Sequence, residues 1–93
     1  MIVSFRDKDT ERLSRGARVS KFASFERQAM RKLRQLDIAG CLDDLRIPPG
    51  NRLEALSGQR SGQFSIRINS QYRICFTWIP AGPKDVEIVD YHR

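Results

Sequence analysis

Hydrophobic and polar positions alternate with period two through residues 62–78, Gly-Gln-Phe-Ser-Ile-Arg-Ile-Asn-Ser-Gln-Tyr-Arg-Ile-Cys-Phe-Thr-Trp, and this pattern predicts a β-hairpin. Phe64, Ile66 and Ile68 fall on one face of its first strand; Tyr72, Ile74, Phe76 and Trp78 fall on one face of its second. A three-residue loop, Asn69-Ser70-Gln71, pairs Ile68 with Tyr72 and Ile66 with Ile74, so the two apolar sets share a face. The same register sets Arg67 opposite Arg73 on the other face. Like charges in that position cost on the order of a few tenths of a kcal/mol or more. A fold has no reason to gather guanidinium there, whereas a site that grips phosphate does.

Elsewhere the apolar spacing changes to three and four. Phe22, Phe25, Ala29, Leu33 and Leu36 form a stripe that predicts a helix over residues 24–37, with Arg27, Arg31, Lys32 and Arg34 mostly off it. Residues 38–45 predict a second short helix with Ile38, Cys41, Leu42 and Leu45 as its apolar positions. The two helices then form a hairpin ended by Pro48-Pro49-Gly50. Ahead of them, residues 2–5 predict a first strand, and residues 7–14 a short helix capped by Asp7 or Asp9 and closed by Gly16. After the proline break come a strand at 52–56, a polar turn at 57–61, the hairpin, a loop at 80–83 and a last strand at 85–91. The order predicts an α+β fold: an N-terminal strand and a helical hairpin packed on a twisted, mostly antiparallel sheet.

Size and charge narrow this picture. The 93 residues predict one domain, 1–93, with a single modest core. A formal net charge of +6 favours a polyanionic partner: RNA, DNA, an acidic protein or an anionic membrane. No apolar run approaches the roughly 20 residues needed to cross a bilayer, and the N-terminus lacks a signal-peptide core. A cytoplasmic, non-membrane protein is expected. Cys41 and Cys75 form neither a close pair nor a metal-ligand cluster, and a reducing compartment is the simpler assumption. Cys75 is expected on the exposed or partner face of its strand, beside the arginines, and Cys41 in a helical pattern.

The candidate chemistry is sparse. Zinc-ligand spacing and glycine-rich phosphate loops are missing, and no metal or cofactor is expected. Tyr72 and Trp78 belong to the core face, which argues against a base-stacking platform. Arg60, Arg67 and Arg73 form a basic set; Asn51 and Arg52, after the proline break, are further candidates to approach it. The single histidine, His92, follows Asp90 and Tyr91 just past the last strand, and its residue type suits proton transfer near neutral pH. Arginine, tyrosine and histidine without metal suit phosphodiester cleavage in RNA, where the 2′-hydroxyl supplies the nucleophile. The competing readings are a solvated basic face with a terminal histidine that has no role, and a basic RNA- or ribosome-binding module without catalysis. A DNA-binding regulator acting alone is weaker still, because no clear helix-turn-helix is present and the basic residues concentrate on the sheet.

One further pattern sharpens the reading. The runs Pro48-Pro49-Gly50-Asn51-Arg52-Leu53-Glu54, Leu56-Ser57-Gly58 with Arg60, Gly62-Gln63-Phe64-Ser65-Ile66-Arg67-Ile68-Asn69, Gln71-Tyr72-Arg73-Ile74-Cys75-Phe76 and Val86-Glu87-Ile88-Val89-Asp90-Tyr91-His92 resemble HigB-type toxins of the RelE-like superfamily. The resemblance covers nearly the whole chain. It implies a microbial-ribonuclease-like fold and a ribosome-dependent mRNA endoribonuclease. It also implies a HigA-like helix-turn-helix antitoxin as partner, through which alone operator DNA is bound. By the same resemblance Arg67 and Arg73 match positions for phosphate binding and transition-state charge. Tyr91 and His92 match the C-terminal active-site pair, and Asp90 the acidic residue before it. Where some members carry basic or imidazole side chains this chain has Glu54 and Ser57, so the general base is left between His92, Glu54 and a group supplied by the ribosome.

Overall fold

Helix formation begins at Asp7. In the computed structural model, which describes residues 1–91, its carboxylate accepts a hydrogen bond from the Thr10 N–H at 3.0 Å and caps helix α1, Lys8–Ser14. Gly16, at φ +90°, turns the chain out of it. A 3-10 turn, Ser20–Phe25, leads into helix α2, Glu26–Ile38. The apolar stripe expected from the sequence is the face α2 and its entry turn bury: Phe22, Phe25, Ala29, Leu33 and Leu36 are all buried. Each of the larger four contributes on the order of 1.5–3 kcal/mol by leaving water. The Phe25 ring stacks on Tyr72 at 4.2 Å between centroids, which ties the helical layer to the sheet.

Four antiparallel strands make that sheet in the order β1 (Glu54–Ala55), β2 (Phe64–Arg67), β3 (Tyr72–Ile79) and β4 (Gly82–Asp90). The register of the central hairpin is the one the alternation predicts: Ile66 pairs with Ile74 and Arg67 with Arg73. Ile66, Ile68, Ile74, Phe76 and Val86 therefore enter the core with the helices, and Ser65, Arg67, Arg73, Cys75 and Glu87 share the opposite face. The result is the expected α+β architecture. Among the described residues no helix is long and apolar enough to cross a membrane.

Several elements differ from expectation. Residues 2–5 form no full strand; they run beside β4 and make one parallel bridge, Phe5 to Val86, with Val86 N–H donating to Ser4 O and Arg6 N–H to Val86 O. The side chain of buried Thr10 continues this cover, its Oγ1 accepting from Ile88 N–H at 3.1 Å. Along the β4 edge the N–H groups of Asp85, Val86 and Ile88 are thus occupied without another strand. Residues 38–45 are not a second helix. Ala39 is extended at ψ 130°, and the Asp44 carboxylate takes the N–H groups of Gly40 and Cys41, which starts a separate 3-10 turn, Leu42–Arg46. Ile38 is consequently 68% exposed, and Cys41 is an exposed cap. The 80–83 loop shrinks to a two-residue turn, because Gly82 already pairs with Ile79 and Pro83 with Trp78. The strand expected at 52–56 keeps only two paired residues.

Candidate active site

The face of the sheet turned away from the helices carries a cleft of about 270 Å³ lined by Arg52, Glu54, Arg67, Asn69, Ser70, Arg73 and Tyr91. Strand alternation puts Arg67 and Arg73 there, directly across the β2–β3 ladder. Their surroundings differ. Arg73 is buried, its Nε donating to Ser65 Oγ at 2.7 Å and its Nη2 to Arg52 O at 2.5 Å and Ser65 O at 3.3 Å. Glu54 Oε2 stands 3.9 Å from the same Nη2. Arg67 is half-buried, with Nε donating to Asn69 O at 3.1 Å, and it has no carboxylate in ion-pair range among the described residues. One guanidinium is locked by the protein and the other retains most of its donors for a ligand.

The lock on Arg73 depends on an irregular loop. Arg52 closes a 3-10 turn, Pro49–Asn51, in the left-handed region at φ 47° and ψ 57°, and this conformation accompanies the Arg73 hydrogen bond to its carbonyl. Asn51 secures the turn from below. It is fully buried; its Nδ2 donates to Gln35 Oε1 at 3.1 Å and Leu45 O at 3.2 Å, and its Oδ1 accepts from Lys32 Nζ at 2.6 Å. Burial, with Arg31 adding repulsion, holds the Lys32 ammonium below its ordinary pKa. Asn51 was expected to bind substrate, and the structure places it instead under the loop, sealed from the cleft. Arg52 does line the cleft.

Tyr91 enters from the last strand. Its N–H donates to Gln71 O at 2.6 Å, and its ring turns back over the sheet so that the Cys75 thiol donates to its hydroxyl at 3.9 Å. Burial raises the pKa of both groups, so at neutral pH the phenol is a proton donor and the thiol is inert. Cys75 lies on the arginine face as expected, but it is fully buried and not exposed. Asp90 is exposed and accepts from Gln71 Nε2 at 3.1 Å. His92 lies outside the described residues.

Arg60 does not join the cleft. Its Nη1 donates to Glu87 Oε1 at 2.8 Å and Gln63 Oε1 at 3.0 Å, and the Glu87 carboxylate raises its pKa further. It closes the sheet face beside Cys75 and Tyr91. Glu54, by contrast, weighed from the sequence as a possible general base, lines the cleft, and Ser65, which holds Arg73 there, was not among the site residues expected. Ser65 was legible in principle, since period two puts it on the face of Arg67. Glu54 follows from the pairing of β1, where it sits opposite Ser65.

A family model and a named relative point to one class. A family model for RelE-like toxins of type II toxin–antitoxin systems, HigB, matches residues 3–92. Toxin HigB-1 of Vibrio cholerae serotype O1 is 43% identical over 81 residues, covering 85% of each chain. An uncharacterized protein of Haemophilus influenzae is 40% identical over 48 residues, 52% of this chain and 48% of its own.

Proposed function

Because the chain belongs to the HigB-like family of RelE-like toxins from type II toxin–antitoxin systems, we propose that its cleft cuts messenger RNA on the ribosome, in the cytoplasm. A toxin of such a system has a cognate antitoxin as its partner; here that partner is a HigA-like helix-turn-helix protein, and the pair binds operator DNA through it. The observation that carries the nuclease reading is the opposed Arg67 and Arg73 on one cleft with Glu54 and Tyr91.

The chemistry follows from those groups. A base takes the proton of a 2′-hydroxyl; the 2′ oxygen attacks the adjacent phosphorus; the bond from phosphorus to the 5′ oxygen breaks as that oxygen receives a proton. The products are a 2′,3′-cyclic phosphate and a 5′-hydroxyl. Arg67 and Arg73 face the negative charge that builds on the phosphorane oxygens, and Arg52 adds phosphate affinity. Glu54 supplies a carboxylate base on the cleft wall, 56% exposed in its side chain. Tyr91, held protonated, suits positioning or proton donation to the leaving oxygen. His92 is the alternative proton carrier.

Primer extension on translated mRNA tests this. The wild type is expected to leave discrete cuts with cyclic phosphate ends, and Arg67→Ala to reduce them about 10²- to 10³-fold, the usual loss for a transition-state charge contact. Comparing Glu54→Gln with His92→Gln identifies the base. Ribosome binding without cleaved ends would replace the nuclease with a non-catalytic RNA- or ribosome-binding module.

A further inference from the structure

The cleft is not the largest concavity. A groove of about 500 Å³ runs between the N-terminal segment and α2. Ile2, Phe5 and Met30 are half-buried along it, and Arg27, Arg31 and Arg34 stand exposed on it. Spacings of four and three bring these arginines to one side of the helix. Like charges at i and i+4 destabilise a helix, so the protein alone gains nothing from Arg27 beside Arg31. Several other surface cations are neutralised: Arg12, Arg15, Lys21 and Arg46 each lie within ion-pair distance of a carboxylate. The ion pairs among the described residues include none of the three groove arginines. Asp37, the groove's carboxylate among the described residues, instead accepts from the Ile2 N–H at 2.8 Å and fixes the N-terminal wall.

We propose that this groove docks the cognate antitoxin through an amphipathic, acidic segment. Its apolar side chains seat on Phe5 and Met30, and its carboxylates meet Arg27, Arg31 and Arg34. The proposal rests on the family assignment, not on the nuclease reading. RNA fits the groove less well: phosphates use the arginines but leave the apolar floor uncovered, and Arg52 and Arg67 already serve phosphate in the cleft. Groove and cleft share no lining residue, so one is altered without touching the other.

The test is a double charge reversal, Arg27→Glu with Arg31→Glu, titrated against the purified, co-expressed antitoxin after thermal melting has shown the fold intact. Kd for the antitoxin is expected to rise about tenfold or more at low salt, with the difference narrowing as salt rises. Ribosome-dependent cleavage by the free variant stays at the wild-type level. Unchanged antitoxin affinity overturns the proposal. So does loss of ribosome or RNA binding with antitoxin affinity kept, which assigns the groove to nucleic acid. Should the double reversal melt early, Arg27→Gln with Arg31→Gln decides the matter in the same titration. If even the wild type cuts no RNA, the nuclease reading falls while the titration still reports on docking.

Discussion

Arg67 and Arg73 occupy paired positions, but burial gives them different tasks. Arg73→Ala strips partners from buried Ser65 and from the Arg52 carbonyl, and is expected to cost about 1–3 kcal/mol of stability. Arg67→Ala removes one bond to a loop carbonyl and should stay within about 0.5 kcal/mol. Both are expected to lose most RNA cleavage. Urea unfolding beside primer extension separates the two effects; equal stability losses would contradict the burial argument. Cys75 gives a second prediction at this scale. Its folded pKa is raised by burial from an ordinary value of 9.0. Above that pH the unfolded thiol releases its proton while the folded thiol keeps it, so the folded state binds more protons and stability falls as pH rises. Below pH 9.0 the contribution is fully present. A Cys75→Ala variant lacks this slope, so its melting temperature relative to wild type should improve between pH 8 and pH 10.

At the scale of elements, the irregular segment before β1 governs the cleft more than any strand does. Asn51→Leu removes the acceptor for Lys32 and the donor for the Leu45 and Gln35 carbonyl oxygens. The loop should shift and carry the Arg52 carbonyl away from Arg73. Stability is expected to drop by about 1–3 kcal/mol, and cleavage by ten- to a hundredfold, on the order expected for a misplacement near 1 Å. Wild-type cleavage by a folded Asn51→Leu protein would break the link. The same segment marks the limit of what the sequence reveals. The hairpin register could be read because Ile66, Ile74 and Phe76 had to share a face and the short loop left one pairing. The α2 stripe could be read because five apolar residues recur at helical spacing. Asn51 could not be read, since its partners come from α2 and from the turn before it, and no local pattern distinguishes a buried asparagine from a solvated one. The same holds for Arg60, whose partner Glu87 is 27 residues away. Residues 38–45 misled because their apolar spacing outweighed the helix-ending signal of Gly40 and the capping by Asp44.

For the whole molecule, the net charge of +6 includes two basic regions, the cleft and the α2 groove. RNA binding should therefore weaken linearly in log affinity against log salt. Replacing Arg67 by alanine is expected to lower the slope by about 0.7, the contribution of one phosphate contact on a single strand. Arg27→Gln should leave it unchanged. Affinities measured from 50 to 300 mM salt check both.

The facing guanidinium groups also make the empty protein a sensor of its surroundings. Their mutual repulsion is relieved when an anion sits between them, and any ligand that prefers the folded chain raises its heat tolerance. Inorganic phosphate should accordingly protect against thermal unfolding better than chloride at matched ionic strength, and the advantage should vanish once Arg67 is alanine. Storage buffers rich in phosphate would then preserve the fold while quietly competing with messenger RNA for the same seat.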